Sequence, residues 1–152
     1  KQTADYTAMV MLSRFGSEEN LKIFVHPNPV NERLLFHEIC GRAILLSKTL
    51  GRGHIPTILV EDVGSQSYIV QELKRLGASV EPFKVLGDKR SRLSAAAAHM
   101  AAKRIFFPEE GAEILIDQLL HFPGVSHNDL VDAYSMGVLR ILDDEARAPM
   151  IS

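Results

Sequence analysis

The stretch HIPTILVEDV, residues 54–63, decides the fold. Ile58, Leu59 and Val60 form a short continuous apolar run, the pattern of a strand buried on both faces. The run stops at the carboxylates Glu61 and Asp62, and Gly64 and Ser65 turn the chain. SYIVQELKRLG (67–77) then reads as an amphipathic helix closed by Gly77, and SVEPFKV (79–85) as the next strand. Upstream, TAMVMLSRF (7–15) and the alternating LKIFVHP (21–27) read as two strands joined through SEEN (17–20), a hairpin. Residues 31–50 carry Leu34, Leu35, Ile39, Ile44, Leu45 and Leu46 at helical spacing. They predict a long helix, disturbed at Gly41 and ending near Gly51. Downstream, DKRSRLSAAAAHMAAK (88–103) is helical by propensity, RIFF (104–107) is a short strand, and GAEILIDQLLHF (111–122) is a helix stopped before Pro123. Residues 127–144 form the last helix. The order β-β-α-β-α-β-α-β-α-α predicts an α/β protein: an antiparallel hairpin plus parallel strands in a mixed sheet flanked by helices.

The 152 residues suit one domain, 1–152, with room for a core. With 46% hydrophobic and 24% charged residues the chain is an ordinary globular one, without repeats or low-complexity blocks. A formal net charge of −2 gives no global signature of nucleic-acid binding, though a local basic patch can act within it. The single cysteine, Cys40, excludes an internal disulfide framework and a Cys-rich zinc site. Beside Ile39 and Ile44 it reads as a small core residue. No apolar run is long enough to span a membrane, and the start does not resemble a signal peptide. The opening KQTADYTAMV lacks an initiator Met and runs from polar residues straight into an apolar segment. It predicts an N-terminally truncated domain with part of its first element missing.

The chemistry sits in SHNDLVDAYS, residues 126–135. Asp129 and Asp132 are one turn apart on much the same helix face. In open α/β sheets sites gather at the carboxyl ends of strands, where Glu61 and Asp62 stand. An all-oxygen set of this kind suits Mg²⁺ or Mn²⁺, not zinc. Carboxylates from separate elements can hold two such ions about 3.5–4 Å apart for phosphodiester hydrolysis. Each feature also has a plainer reading. Ser126 with Asp129 at the third helical position resembles a capping box, Glu61 and Asp62 suit a solvated turn, and His127 suits a polar lead-in. The combination points to a metal site, with acids distant in sequence meeting in one cleft.

Lys89, Arg90 and Arg92 cluster in GDKRSRLS (87–94) at a helix start, a place suited to phosphate. The plain alternative is a solvated helix start. His99 and Lys103 lie further along the same helix. There is no GxxxxGK[ST], no GxSxG and no HExxH. GRGH (51–54) is not a GxGxxG loop.

The segments VEDVGSQSYIVQELKRLG (60–77), GDKRSRLSAAA (87–97), RIFFPEEG (104–111) and FPGVSHNDLVDAYS (122–135) closely resemble the C-terminal nuclease domain of tailed-phage terminase large subunits. KQTADYTAMV resembles the start of that domain, so nearly the whole chain is covered in order. The resemblance implies a ribonuclease-H-like fold and a metal-dependent endonuclease that cuts concatemeric viral DNA during packaging in the host cytoplasm. It implies Mg²⁺ or Mn²⁺ in a two-metal site, and double-stranded DNA, an N-terminal ATPase domain, the portal and the small terminase subunit as partners. No membrane is involved.

By the resemblance Glu61 matches the acid of the central strand, Asp129 that of the last helix, and Asp132 the second aspartate of the HxDxxDA-type motif. Lys89 matches the basic position of the DK segment. With Arg90 and Arg92 it is expected to contact DNA. Asp5, Asp62, His127 and Asn128 are expected near the site. The chain departs from the pattern twice. The first catalytic aspartate is expected upstream of Lys1, and Asn128 stands where the family often has a second acid. Both departures predict weak metal occupancy and little cleavage from this chain alone. Two alternatives remain on the same fold: a non-catalytic DNA- or partner-binding module, and a Holliday-junction resolvase.

Overall fold

The computed structural model describes residues 6–51, 54–61, 67–84, 87–124 and 128–147. The elements run β1 (Tyr6–Met9), β2 (Leu12–Phe15), a 3₁₀ turn (Glu18–Asn20), β3 (Lys22–Val25), β4 (Val30–Arg33), α1 (Phe36–Gly51) and β5 (Ile58–Glu61). Then follow α2 (Ser67–Arg75), β6 (Val80–Phe83), α3 (Lys89–Ala101), β7 (Ile105–Phe106), α4 (Glu113–His121) and α5 (Asp129–Arg147). The chain forms two compact units, residues 1–7 with 32–86 and residues 8–31 with 87–152. It passes from one to the other within β1 and β4, which pair with each other.

In the first unit β5 and β6 pair in parallel, from Ile58 opposite Val80 to Glu61 opposite Phe83, with α2 as the crossover. A parallel pair needs such a connection, since a tight turn cannot reverse the chain twice. Ile58–Val60 are half-buried, not buried on both faces as the apolar run predicts. Among the described residues β5 is hydrogen-bonded on one side only, to β6. The buried side chains of this unit are Leu34, Cys40, Ala43 and Leu73. Cys40 is a core residue as expected, and burial raises its thiol pKa.

Helix α1 starts at Phe36, and the segment expected to open it, 31–35, instead contains β4. Two prolines, Pro27 and Pro29, lead into the segment and favour extended backbone before them. The Leu35 N–H is taken by the Glu38 carboxylate at 2.8 Å, half of a capping box that fixes the helix start. Gly41 does not interrupt α1: it is exposed, and a Cβ added there meets nothing within 4 Å. Replacing an exposed mid-helix glycine removes backbone entropy from the unfolded chain. Gly41→Ala is therefore expected to stabilise the protein by about 0.5–1 kcal/mol in urea denaturation.

In the second unit β2 and β3 form the expected hairpin, Leu12 opposite Val25 through Phe15 opposite Lys22. Residues 7–15 are not one strand, because the chain changes partner near Val10–Met11: β1 pairs with β4, and β2 with β3. The hairpin turn requires Gly16, which has φ +73° and lies so close to the Asn20 carbonyl that a Cβ would collide with it. β7 joins β3 in parallel, Ile23 opposite Ile105. Ile23, Val25 and Ile105 point into a core shared with Ala96, Leu115, Leu130, Tyr134 and Val138. Helix α5 supplies Leu130, Tyr134 and Val138 at helical spacing, all 0% exposed, so its apolar stripe is the centre of the unit. That burial fixes which way the polar head of α5 faces.

Candidate active site

Helix α5 begins at Asp129, two residues later than expected, with the Asn128 carbonyl accepting from the Val131 N–H at 3.0 Å. Asp129 is thus the first residue of the helix, not the third, and both aspartates lie in its first turn. Carboxylates there also suit the positive end of the helix dipole. Ser126 and His127 lie outside the described residues, as do Asp5 and Asp62.

The two aspartates differ in their surroundings. Both carboxylate oxygens of Asp132 are engaged from α3: Oδ2 by Lys89 Nζ at 2.9 Å and Oδ1 by Arg92 Nη2 at 3.2 Å. Lys89 also donates to the Asn128 Oδ1 at 2.5 Å. Asp129 is half-buried, and among the described residues none donates to or pairs with its carboxylate. Among the described residues Asp129 is therefore an uncommitted carboxylate one turn from a paired one.

The basic segment is likewise divided. The Arg92 side chain is only 12% exposed, and its Nη1 donates to the Gly87 carbonyl at 2.8 Å. Its Nε is buried with no acceptor among the described residues. Arg90 is exposed. The Ser91 N–H, an orphan donor of the α3 start, is taken by Asp88 Oδ1 at 2.7 Å. That bond holds the Asp88 carboxyl below its ordinary range. Lys103 lies beyond the far end of α3, about 20 Å along the helix direction from Lys89 by helical rise.

Glu61 closes β5 in the first unit, exposed, at the strand end where the sequence places it. No described residue pairs with it. Among the described residues no three His, Cys, Asp or Glu side chains gather into a metal-holding group. The available donors are nonetheless hard oxygens with open lone pairs. They fit a hydrated divalent cation held by one or two carboxylates, the usual state of Mg²⁺.

Sequence reasoning missed Gln118. Its side chain is buried within α4, and Oε1 accepts the Leu130 N–H at 3.1 Å, satisfying an orphan donor at the head of α5. The signal was available: a lone amide on the stripe of α4 that also carries Leu115. Gln118→Leu leaves that N–H unpaired in the interior, so it is expected to cost about 1–3 kcal/mol in chemical denaturation.

The mixed strands and flanking helices constitute a ribonuclease-H-like α/β fold. The chain shares this fold with the large terminase nuclease of the thermophilic phage G20c. Against the structure of that nuclease with bound cobalt the TM-score is 0.62 at 15% identity, covering 90% of this chain and 85% of that one. The magnesium-bound structure gives 0.62 at 16% identity over 90% and 85%. The zinc-bound structure gives 0.60 at 16% over 88% and 82%. No family model matches the chain, and no curated protein does. No described helix is long and apolar enough to cross a membrane.

Proposed function

We propose that the chain is the DNA endonuclease domain of a viral packaging terminase, hydrolysing phosphodiester bonds with Mg²⁺ or Mn²⁺. The observation that supports this reading is the half-buried Asp129 carboxylate, unpaired among the described residues and next in sequence to the Asn128 that Lys89 holds, in a fold shared with the G20c terminase nuclease solved with bound cobalt and magnesium. Glu61 and Asp129 are each proposed as ligands of a divalent ion. Divalent ions, when bound, supply the positive charge that activates water and neutralises the leaving oxygen. The chain's own residues orient the substrate. Lys89, a compact point charge, binds a phosphoryl oxygen, and exposed Arg90 meets the neighbouring backbone. Such contacts go to phosphates, so sequence preference is slight. Double-stranded DNA is the substrate, in the cytoplasm of a bacterial host, alongside an ATPase domain, a portal and a small terminase subunit.

The test uses supercoiled plasmid with Mn²⁺ and the protein. Nicking and linearisation are expected. A folded protein that leaves plasmid intact contradicts the assignment. The cation pairing of Asp132 favours one second reading, a non-catalytic DNA-binding module in which the acids are structural. Calorimetry separates the two, because such a module takes up no Mn²⁺. Preference for four-way junctions over linear duplex would instead mark a resolvase.

A further inference from the structure

We infer that Asp132 is a positioning residue that fixes the Lys89 ammonium at the head of α5, not a metal ligand, and that Arg92 is the brace of this clamp, not a DNA contact. The anion Lys89 meets, a DNA phosphate, rests on the endonuclease reading; the clamp itself rests on geometry. Each of the two Asp132 oxygens already accepts from a different cation, at 2.9 and 3.2 Å, so a metal ion bound there would compete with both pairings. Releasing them would strand Arg92. That guanidinium is 12% exposed, and Asp132 is the carboxylate it ion-pairs with among the described residues, with Asp88 near enough to feel its charge. A charge so far out of water is strongly disfavoured once its counter-ion leaves.

The same arrangement determines where Lys89 points. Asn128 and Asp132 are four residues apart, so their side chains lie on one face of the first turn. Lys89 Nζ bridges them, with Asn128 Oδ1 at 2.5 Å and Asp132 Oδ2 at 2.9 Å. An ammonium carries three N–H donors. Among the described residues two are committed, which leaves the third for a ligand oxygen. A long, flexible lysine is thereby held in one place before substrate arrives, which lowers the entropy cost of binding a phosphate in a reactive position. Arg92 fixes the other side of Asp132 and ties it to the Gly87 carbonyl at the start of α3.

Asp132→Asn removes the charge and keeps the shape. In Mn²⁺ calorimetry, this variant is expected to bind within about twofold of the unaltered protein, whereas Asp129→Asn weakens binding at least about tenfold. In single-turnover plasmid cleavage at saturating Mn²⁺, Lys89→Ala and Asp132→Asn each slow cutting by about tenfold or more, and the double variant is no slower than Lys89→Ala. A Mn²⁺ affinity that falls as far in Asp132→Asn as in Asp129→Asn overturns the inference, and so do multiplicative rate losses. If the unaltered protein takes up no Mn²⁺ and cuts nothing, the endonuclease reading fails by itself. The clamp is then decided by thermal unfolding. Arg92→Gln combined with Asp132→Asn should lower Tm no further than the more damaging single change, and additive losses of Tm reject it.

Discussion

Asp129→Asn is expected to reduce Mn²⁺-dependent plasmid cleavage by about 10²–10³-fold, the scale on which a single electrostatic contact to a reacting centre acts. The substitution is close to isosteric. It removes charge from a carboxylate that no described residue pairs with, so no pairing among the described residues is lost when it is made. Thermal unfolding should therefore change little, and Asp129 stability and activity separate. The carboxylate at a helix start does interact favourably with the dipole, an effect of about 0.3–1 kcal/mol that sets the expected Tm loss. A cleavage rate that persists in Asp129→Asn would show that another group does this work.

The second large effect concerns stability. Tyr134 is 0% exposed, lies in the central cluster and stacks on Phe107 with ring centroids 5.8 Å apart. Tyr134→Ala empties that volume and is expected to cost about 3–5 kcal/mol, read as a lower urea midpoint. The contrasting variant is Tyr134→Phe. The buried hydroxyl has no hydrogen-bond partner among the described residues, so deleting it removes a desolvated polar group and keeps the ring. Stability should be unchanged or higher by about 1 kcal/mol. Burial also raises the phenol pKa above its ordinary value of 10.0. The unfolded chain then loses this proton first as pH rises. Its contribution is complete below about pH 10 and declines above it. Tyr134→Phe should flatten that alkaline decline in a Tm–pH series.

The parts of the fold that were legible had strong local signals. The apolar run 58–60 ending in Glu61, the amphipathic helix after it and Gly77 specified β5-α2-β6 without reference to distant residues. The hairpin was equally plain from alternation around a polar turn. β4 was hidden because Leu34, Leu35 and Ile39 are spaced like a helix face. What makes Val30–Arg33 extended is its pairing with β1, a tertiary fact. The site divided in the same way. The aspartates at the head of the last helix announced themselves by spacing. The basic residues announced a charge but not its destination. Lys89 and Arg92 meet Asp132 some 40 residues downstream, and no local rule shows that pairing. Gln118 was obscured for the related reason that its partner is a backbone N–H on another helix.

The central claim, that Glu61 and Asp129 each hold a divalent cation, is tested most directly by calorimetric Mn²⁺ titration of the protein and its Glu61→Gln and Asp129→Asn variants. Each substitution is expected to weaken Mn²⁺ binding at least about tenfold while the protein stays folded. Wild-type affinity in both variants would contradict metal ligation by these acids and remove the ground on which the nuclease reading stands.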